Sequence, residues 1–123
     1  MEFQTPKDLE DLIRRKPLRV IDIKEMLQKA FYIELSGLYE GEGELRIYRS
    51  GNFVMSISAF QDREEQKMTM VHEFGHLYYT PEYDGQEEWI EEPIEREAQR
   101  FCKENPEFVE EIFSKYVLNR TAQ

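Results

Sequence analysis

Hydrophobic positions recur along this chain with two periods, and each change of period marks a change of secondary structure. In Lys7–Arg15 and Ile21–Ala30 the apolar residues lie three and four positions apart, which predicts two amphipathic helices. Thr5 and Pro6 precede the first segment, and proline suits the first turn of a helix. We therefore expect helices at the N-terminal end of the chain.

The period then shortens to two over three segments that are rich in aromatic and β-branched residues. These segments are Phe31–Tyr39, Glu44–Arg49 and Phe53–Ser58, and glycine-containing turns separate them. They predict a small antiparallel sheet of three strands, in which the last two strands form a hairpin.

The helical period returns over Arg63–Tyr79, where apolar residues spread over most of the helix circumference, as in a buried helix. Pro81 follows it and cannot continue a helix. A further helix is expected to begin at Pro93 and run to Glu104, and a last amphipathic helix covers Pro106 to about Leu118. The pattern as a whole predicts an α+β fold with a buried central helix and flanking N- and C-terminal helices.

Composition narrows the class of protein. The 123 residues with 40% apolar content suit one domain with its own core, spanning residues 1–123. A net charge of -10 argues against direct binding of nucleic acid. No segment is apolar enough to span a membrane, no secretory signal is recognisable, and the single cysteine, Cys102, excludes an internal disulfide. We expect a soluble, cytoplasmic protein.

The predicted buried helix carries both histidines of the chain in the segment His72-Glu73-Phe74-Gly75-His76. Residues four apart on a helix share a face, so the two imidazoles can bind one metal ion. Glu73 is rotated about 100° from His72, which places its carboxylate beside that ion as a general base. Gly75 lets another element approach closely. This pattern predicts one Zn²⁺ per chain and hydrolysis of a peptide bond.

A catalytic zinc site usually has three protein ligands and one open position. Because the chain has no third histidine, the third ligand is expected to be a carboxylate of the following helix, either Glu95 or Glu97. Periodicity alone does not choose between them. Glu95 shares its face with the small residues Ala98 and Cys102, which favours Glu95 and leaves Glu97 facing solvent.

Two stretches resemble the ImmA/IrrE-type metallopeptidases, in which an H-E-x-x-H helix is followed by E-x-x-A-x-x-F. Here they read Met68-Thr69-Met70-Val71-His72-Glu73-Phe74-Gly75-His76-Leu77 and Glu95-Arg96-Glu97-Ala98-Gln99-Arg100-Phe101. The resemblance implies a zinc endopeptidase of the gluzincin type, often one that cleaves a helix-turn-helix repressor, and it assigns Glu95 as the third ligand. The chain departs from the family after Phe101 and is short, as in minimal single-domain gluzincins.

Two further expectations concern the use of this site. Phe53–Ser58 is either a plain structural strand or, if it forms the sheet edge nearest the zinc, a strand to which an extended peptide substrate adds. The alternative to an active peptidase is a latent or inactive zinc-binding interaction module, with Pro106–Leu118 covering the cleft. A purely structural zinc site is disfavoured, because such sites usually have four ligands.

Overall fold

A computed structural model describes residues 6–37, 41–82 and 87–119. Within these ranges the chain forms five helices and one sheet of four strands. The helices are α1 (Pro6–Arg15), α2 (Val20–Leu27), α3 (Arg63–Tyr79), α4 (Glu88–Glu104) and α5 (Pro106–Tyr116). The strands are β1 (Ala30–Ser36), β2 (Gly43–Ile47), β3 (Phe53–Ser58) and β4 (Val117–Asn119). The predicted α+β class is confirmed.

The sheet is mixed, with the strand order β2-β3-β1-β4. β2 and β3 pair antiparallel, which confirms the predicted hairpin, whereas β1 pairs parallel with both β3 and β4. The prediction of three antiparallel strands is therefore wrong in number and in direction. An alternating pattern shows that a segment is extended, but it does not show which neighbour the segment pairs with.

Several boundaries differ from the predicted ones. α2 ends at Leu27 instead of Ala30, and β2 ends at Ile47 instead of Arg49. β1 ends at Ser36 and Gly37 lies outside it, while Leu38 and Tyr39 of the predicted strand lie outside the described residues, as does Thr5 before α1. The last helix ends at Tyr116, because Val117–Asn119 pairs with β1 as β4 instead of continuing the helix to Leu118. Pairing with a neighbouring strand has overridden the local preference of this segment.

α4 begins at Glu88 and not at the predicted Pro93, which lies inside the helix. A proline in the second turn removes a single hydrogen bond of the helix. The helical turn before Pro93 is stabilised by Ile90, which is completely buried in the core, as is Ile94 in the next turn. Burial of these side chains outweighs the lost bond, so the helix starts five residues earlier than the proline signal indicates.

α3 packs against β2 and β3, and its burial confirms the prediction from its apolar pattern. Met70, Val71 and Phe74 are completely buried. The ring of Phe74 meets that of Phe53 in β3 edge to face, with centroids 6.0 Å apart. The N-terminal end of α3 is capped by Asp62, whose carboxylate accepts a hydrogen bond from the Glu65 N–H at 2.9 Å. The helix is thus held rigidly against the sheet.

Glu97 is a buried charge that joins α4 to the connection between α1 and α2. Its carboxylate accepts hydrogen bonds from the Leu18 N–H at 2.7 Å and from Arg100 at 2.6 and 2.8 Å. Arg100 also donates to the Leu18 carbonyl at 2.8 Å. The expectation that Glu97 faces solvent is therefore wrong: two helical positions rotate it about 200° from Glu95, towards α1.

Replacing Glu97 with alanine removes this junction. The Leu18 N–H and the Arg100 guanidinium lose their shared acceptor, so we expect the free energy of unfolding to fall by about 2–4 kcal/mol. Urea denaturation measures the loss. Glu92→Ala, at an exposed position of the same helix, is the control and should change stability by less than about 0.5 kcal/mol. Equal stability of the two variants would contradict the structural role of Glu97.

Candidate metal centre

α3 and α4 approach each other closely where Gly75 faces Ile94. A β-carbon at Gly75 would lie 3.0 Å from Cγ2 of Ile94, a contact that requires one of the two to shift. The backbone at this position does not itself need glycine, because Gly51 is the one residue with a positive φ in the described part of the chain. Gly75 therefore serves close helix packing, as its place in the motif predicted.

This packing sets two pairs of side chains opposite each other, each pair with helical i, i+4 spacing. His72 and His76 project from α3, and Glu91 and Glu95 project from α4. The Glu91 carboxylate oxygens lie 2.8 Å from Nε2 of His72 and 3.0 Å from Nε2 of His76. Ligand atoms of His72, His76 and Glu91 all lie within 4.8 Å of one another, so this group could hold a metal ion.

The second ring nitrogen of each histidine has its own partner. Thr80 donates its hydroxyl to the His76 carbonyl at 3.2 Å, and its oxygen lies 3.2 Å from Nδ1 of His76. With its hydroxyl hydrogen directed at this carbonyl, the Thr80 oxygen is free to accept from Nδ1–H of His76. This contact fixes the ring so that Nε2 faces Glu91 and His72.

Glu95 is the partner of the Nδ1 atom of His72, as Thr80 is for His76. Its Oε2 lies 2.6 Å from Nδ1 of His72, on the side of the ring away from Nε2. A carboxylate that accepts from the far nitrogen of a histidine fixes the ring orientation and makes Nε2 a better ligand. Two glutamates of α4 thus flank one imidazole, with Glu91 at Nε2 and Glu95 at Nδ1.

The spacing of the two Nε2 atoms suits a shared metal ion better than a direct contact between the two rings. The two Nε2 atoms are only 3.0 Å apart, so a proton on both would bring two N–H groups into conflict. In a tetrahedral zinc site with Zn–N bonds of about 2.0–2.1 Å, neighbouring ligand atoms lie roughly 3.3 Å apart. The 3.0 Å between the two Nε2 atoms is close to that separation.

The charges of the cluster shift the ionisation of its members. Burial alone would lower the pKa of His72, but the hydrogen bond to Glu91 and the charges of Glu73, Glu91 and Glu95 raise it to about 9. Hydrogen bonds from His72 and His76 hold the pKa of Glu91 at about 2. At neutral pH a metal ion must therefore displace a proton from His72.

Glu73 lies next to His72 on α3, outside the group that could hold the ion. Burial raises the pKa of its carboxyl group, and the positive charges of His76 and His72 partly oppose that increase. A carboxylate with a raised pKa beside a metal position is suited to accept a proton and release it again.

Sequence reasoning found both histidines, Glu73 and Glu95, and the structure brings all four together. It missed Glu91, because the proline signal began the helix two residues after this glutamate. The spacing of four between Glu91 and Glu95 was the available signal, since it puts both carboxylates on one helix face. The assignment of Glu95 as the third ligand stays a prediction, now beside Glu91 as a second candidate.

Comparison of the chain with models of protein families, with curated proteins and with solved structures produced no match. The resemblance to the ImmA/IrrE-type peptidases therefore remains an inference from the motif residues. Across the described ranges, every helix is too short or too polar to cross a lipid bilayer.

Substituting the two glutamates separately distinguishes their roles. We expect Glu91→Ala to lose zinc, because it removes the oxygens that face both Nε2 atoms. Glu95→Ala should retain zinc with an affinity about 10–100-fold weaker, as for loss of a partner behind a ligand. Metal content per chain, and affinity measured by competition with a chelating dye, test both expectations.

Glu92→Ala is the matched control for surface charge on α4 and should bind zinc as the native chain does. The reverse order, with zinc lost in Glu95→Ala and kept in Glu91→Ala, would establish Glu95 as the third ligand.

Proposed function

We propose that this protein is a zinc-dependent endopeptidase. Ligand atoms of His72, His76 and Glu91 lie within 4.8 Å of one another, and this cluster carries the proposal. Glu73 is close enough for the charges of all three residues to act on its carboxyl group. Two imidazole nitrogens and a carboxylate are a donor set that suits zinc. Three protein ligands leave one position open, which distinguishes a catalytic from a structural zinc site.

The protein residues have separate tasks in hydrolysis. Zinc, when bound, supplies a Lewis acid that polarises a carbonyl group and makes water more acidic. Glu73 takes a proton from the attacking water as its oxygen bonds to the scissile carbonyl carbon. Glu73 then returns that proton to the amide nitrogen as the C–N bond breaks, which releases a carboxylic acid and an amine. The acid passes its remaining proton to the amine, so the products are a carboxylate and an ammonium group. Thr80 and Glu95 hold the two histidine rings in orientation.

The site is accessible from the α4 side, because the side chains of Glu91 and Glu95 are 45% and 41% exposed, whereas His72 and His76 are 13% and 10% exposed. A ligand can therefore reach the metal position without displacing the core. The resemblance to ImmA/IrrE-type peptidases adds a class of partner, a protein substrate such as a helix-turn-helix repressor.

The strand expected to receive a substrate needs correction. β3 lies between β2 and β1, so it is not an edge strand. The edge on the side of α3 is β2, and we propose β2 as the strand along which an extended peptide lies.

The latent form, with the C-terminal helix over the cleft, gains no support from the contacts of α5. Glu110 of α5 pairs with Arg63 and Lys67 at the N-terminal end of α3. Val109, Ile112 and Phe113 are buried in the core. Removal of α5 would therefore unfold the domain, and truncation cannot serve as a test of latency.

Glu73→Gln tests the peptidase proposal. Glutamine keeps the shape of the side chain but cannot carry the proton, so we expect hydrolysis to fall by at least 100-fold while zinc content stays at one per chain. The native and mutant chains are incubated with an unstructured protein such as casein, and cleavage is followed by mass spectrometry. Glu92→Gln controls for the change of charge.

Normal hydrolysis by Glu73→Gln would remove Glu73 as the base. Absence of bound zinc in the native chain after reloading would overturn the proposal as a whole.

A further inference from the structure

Gly43, the first residue of β2, lies against α3 at the point where Glu73 projects. A β-carbon at this position would lie 2.6 Å from Cγ2 of Thr69 and 3.2 Å from both Cγ and Oε2 of Glu73. The first distance is a clash, and the second is tighter than ordinary van der Waals contact. The space in which the Glu73 carboxylate lies therefore exists because Gly43 has no side chain.

Backbone conformation does not explain the glycine. In the described part of the chain Gly51 alone among the glycines has a positive φ, so the backbone at Gly43 is one that an alanine can adopt. Its place in the hairpin is also ordinary, since Gly43 pairs with Ile57 of β3 in the regular register. What requires glycine here is the nearness of α3.

The neighbouring contacts hold β2 and α3 at this distance. The Gln61 side chain donates to the Glu42 carbonyl at 3.1 Å and accepts from the Thr69 hydroxyl at 2.9 Å, so one amide bridges the strand and the helix. The Glu42 carbonyl also accepts from the Ser58 N–H at 2.8 Å. A side chain at Gly43 would thus displace Glu73 more readily than it would move the strand.

We propose that Gly43 is a positioning residue for Glu73: because Gly43 has no side chain, the Glu73 carboxylate keeps the position that a general base requires. This inference rests on the proposed peptidase function and adds a residue, outside the metal cluster, on which the general base depends.

The test uses Thr69→Ser as a background, because serine keeps the hydroxyl that bonds to Gln61 and removes the methyl group that would clash. In Gly43→Ala/Thr69→Ser the nearest remaining contacts of the new methyl group are then with Glu73. Acetohydroxamate is the probe: it chelates zinc and gives its hydroxyl proton to a neighbouring carboxylate, so its affinity reports the position of Glu73 without any substrate.

We expect zinc content and thermal stability of Gly43→Ala/Thr69→Ser to match those of Thr69→Ser, while acetohydroxamate binds about 10–100-fold more weakly, as for loss of a hydrogen bond to a charged group. Glu73→Gln should weaken the probe to a similar degree. Adding Gly43→Ala to Thr69→Ser/Glu73→Gln should then weaken acetohydroxamate binding little further, because both changes act through one carboxylate.

The outcomes separate the two proposals. If Gly43→Ala/Thr69→Ser binds acetohydroxamate as tightly as Thr69→Ser, Gly43 does not position Glu73, although the zinc site stands. If the native chain binds neither zinc nor acetohydroxamate, the peptidase proposal itself is overturned, and the inference about Gly43 falls with it.

Discussion

The close contact between α3 and α4 at Gly75 and Ile94 is the constraint on which the candidate site depends. Neither helix contains a complete site, since α3 supplies two imidazoles and α4 supplies carboxylates. A wider separation would leave His72 without Glu91 and Glu95 and would leave His76 without Glu91, at a cost of a few kcal/mol. The same contact that packs the core therefore decides whether the polar side chains can meet.

Three glutamates of α4 show how spacing on one helix assigns different roles to one residue type. Glu91 and Glu95 are four positions apart and face α3, whereas Glu97 faces α1 and holds Leu18. Burial follows the same division, because Glu97 is 5% exposed while the other two keep contact with solvent. The glutamates of α4 therefore do not form one uniform solvated face.

Local patterns predicted the helices, the hairpin of β2 and β3, and the histidine pair, because periodicity and i, i+4 spacing act over a few residues. The parallel pairing of β1 with β3 and β4 depends on contacts between distant segments, which no local pattern records. Glu91 was missed for a related reason. The signal of Pro93 is local, but Ile90 is held in the core by the rest of the fold, and that tertiary contact extends α4 by one turn.

Two glycines allow neighbouring elements to pack closely against α3. Gly75 lets α4 approach α3 on one side, and Gly43 lets β2 approach it on the other. Between them lie the two histidines and Glu73, so each missing side chain opens space for a different part of the same site. A positive φ accounts for neither glycine. At each of the two positions an added side chain would meet an atom of a neighbouring element, so close packing against α3 accounts for both glycines.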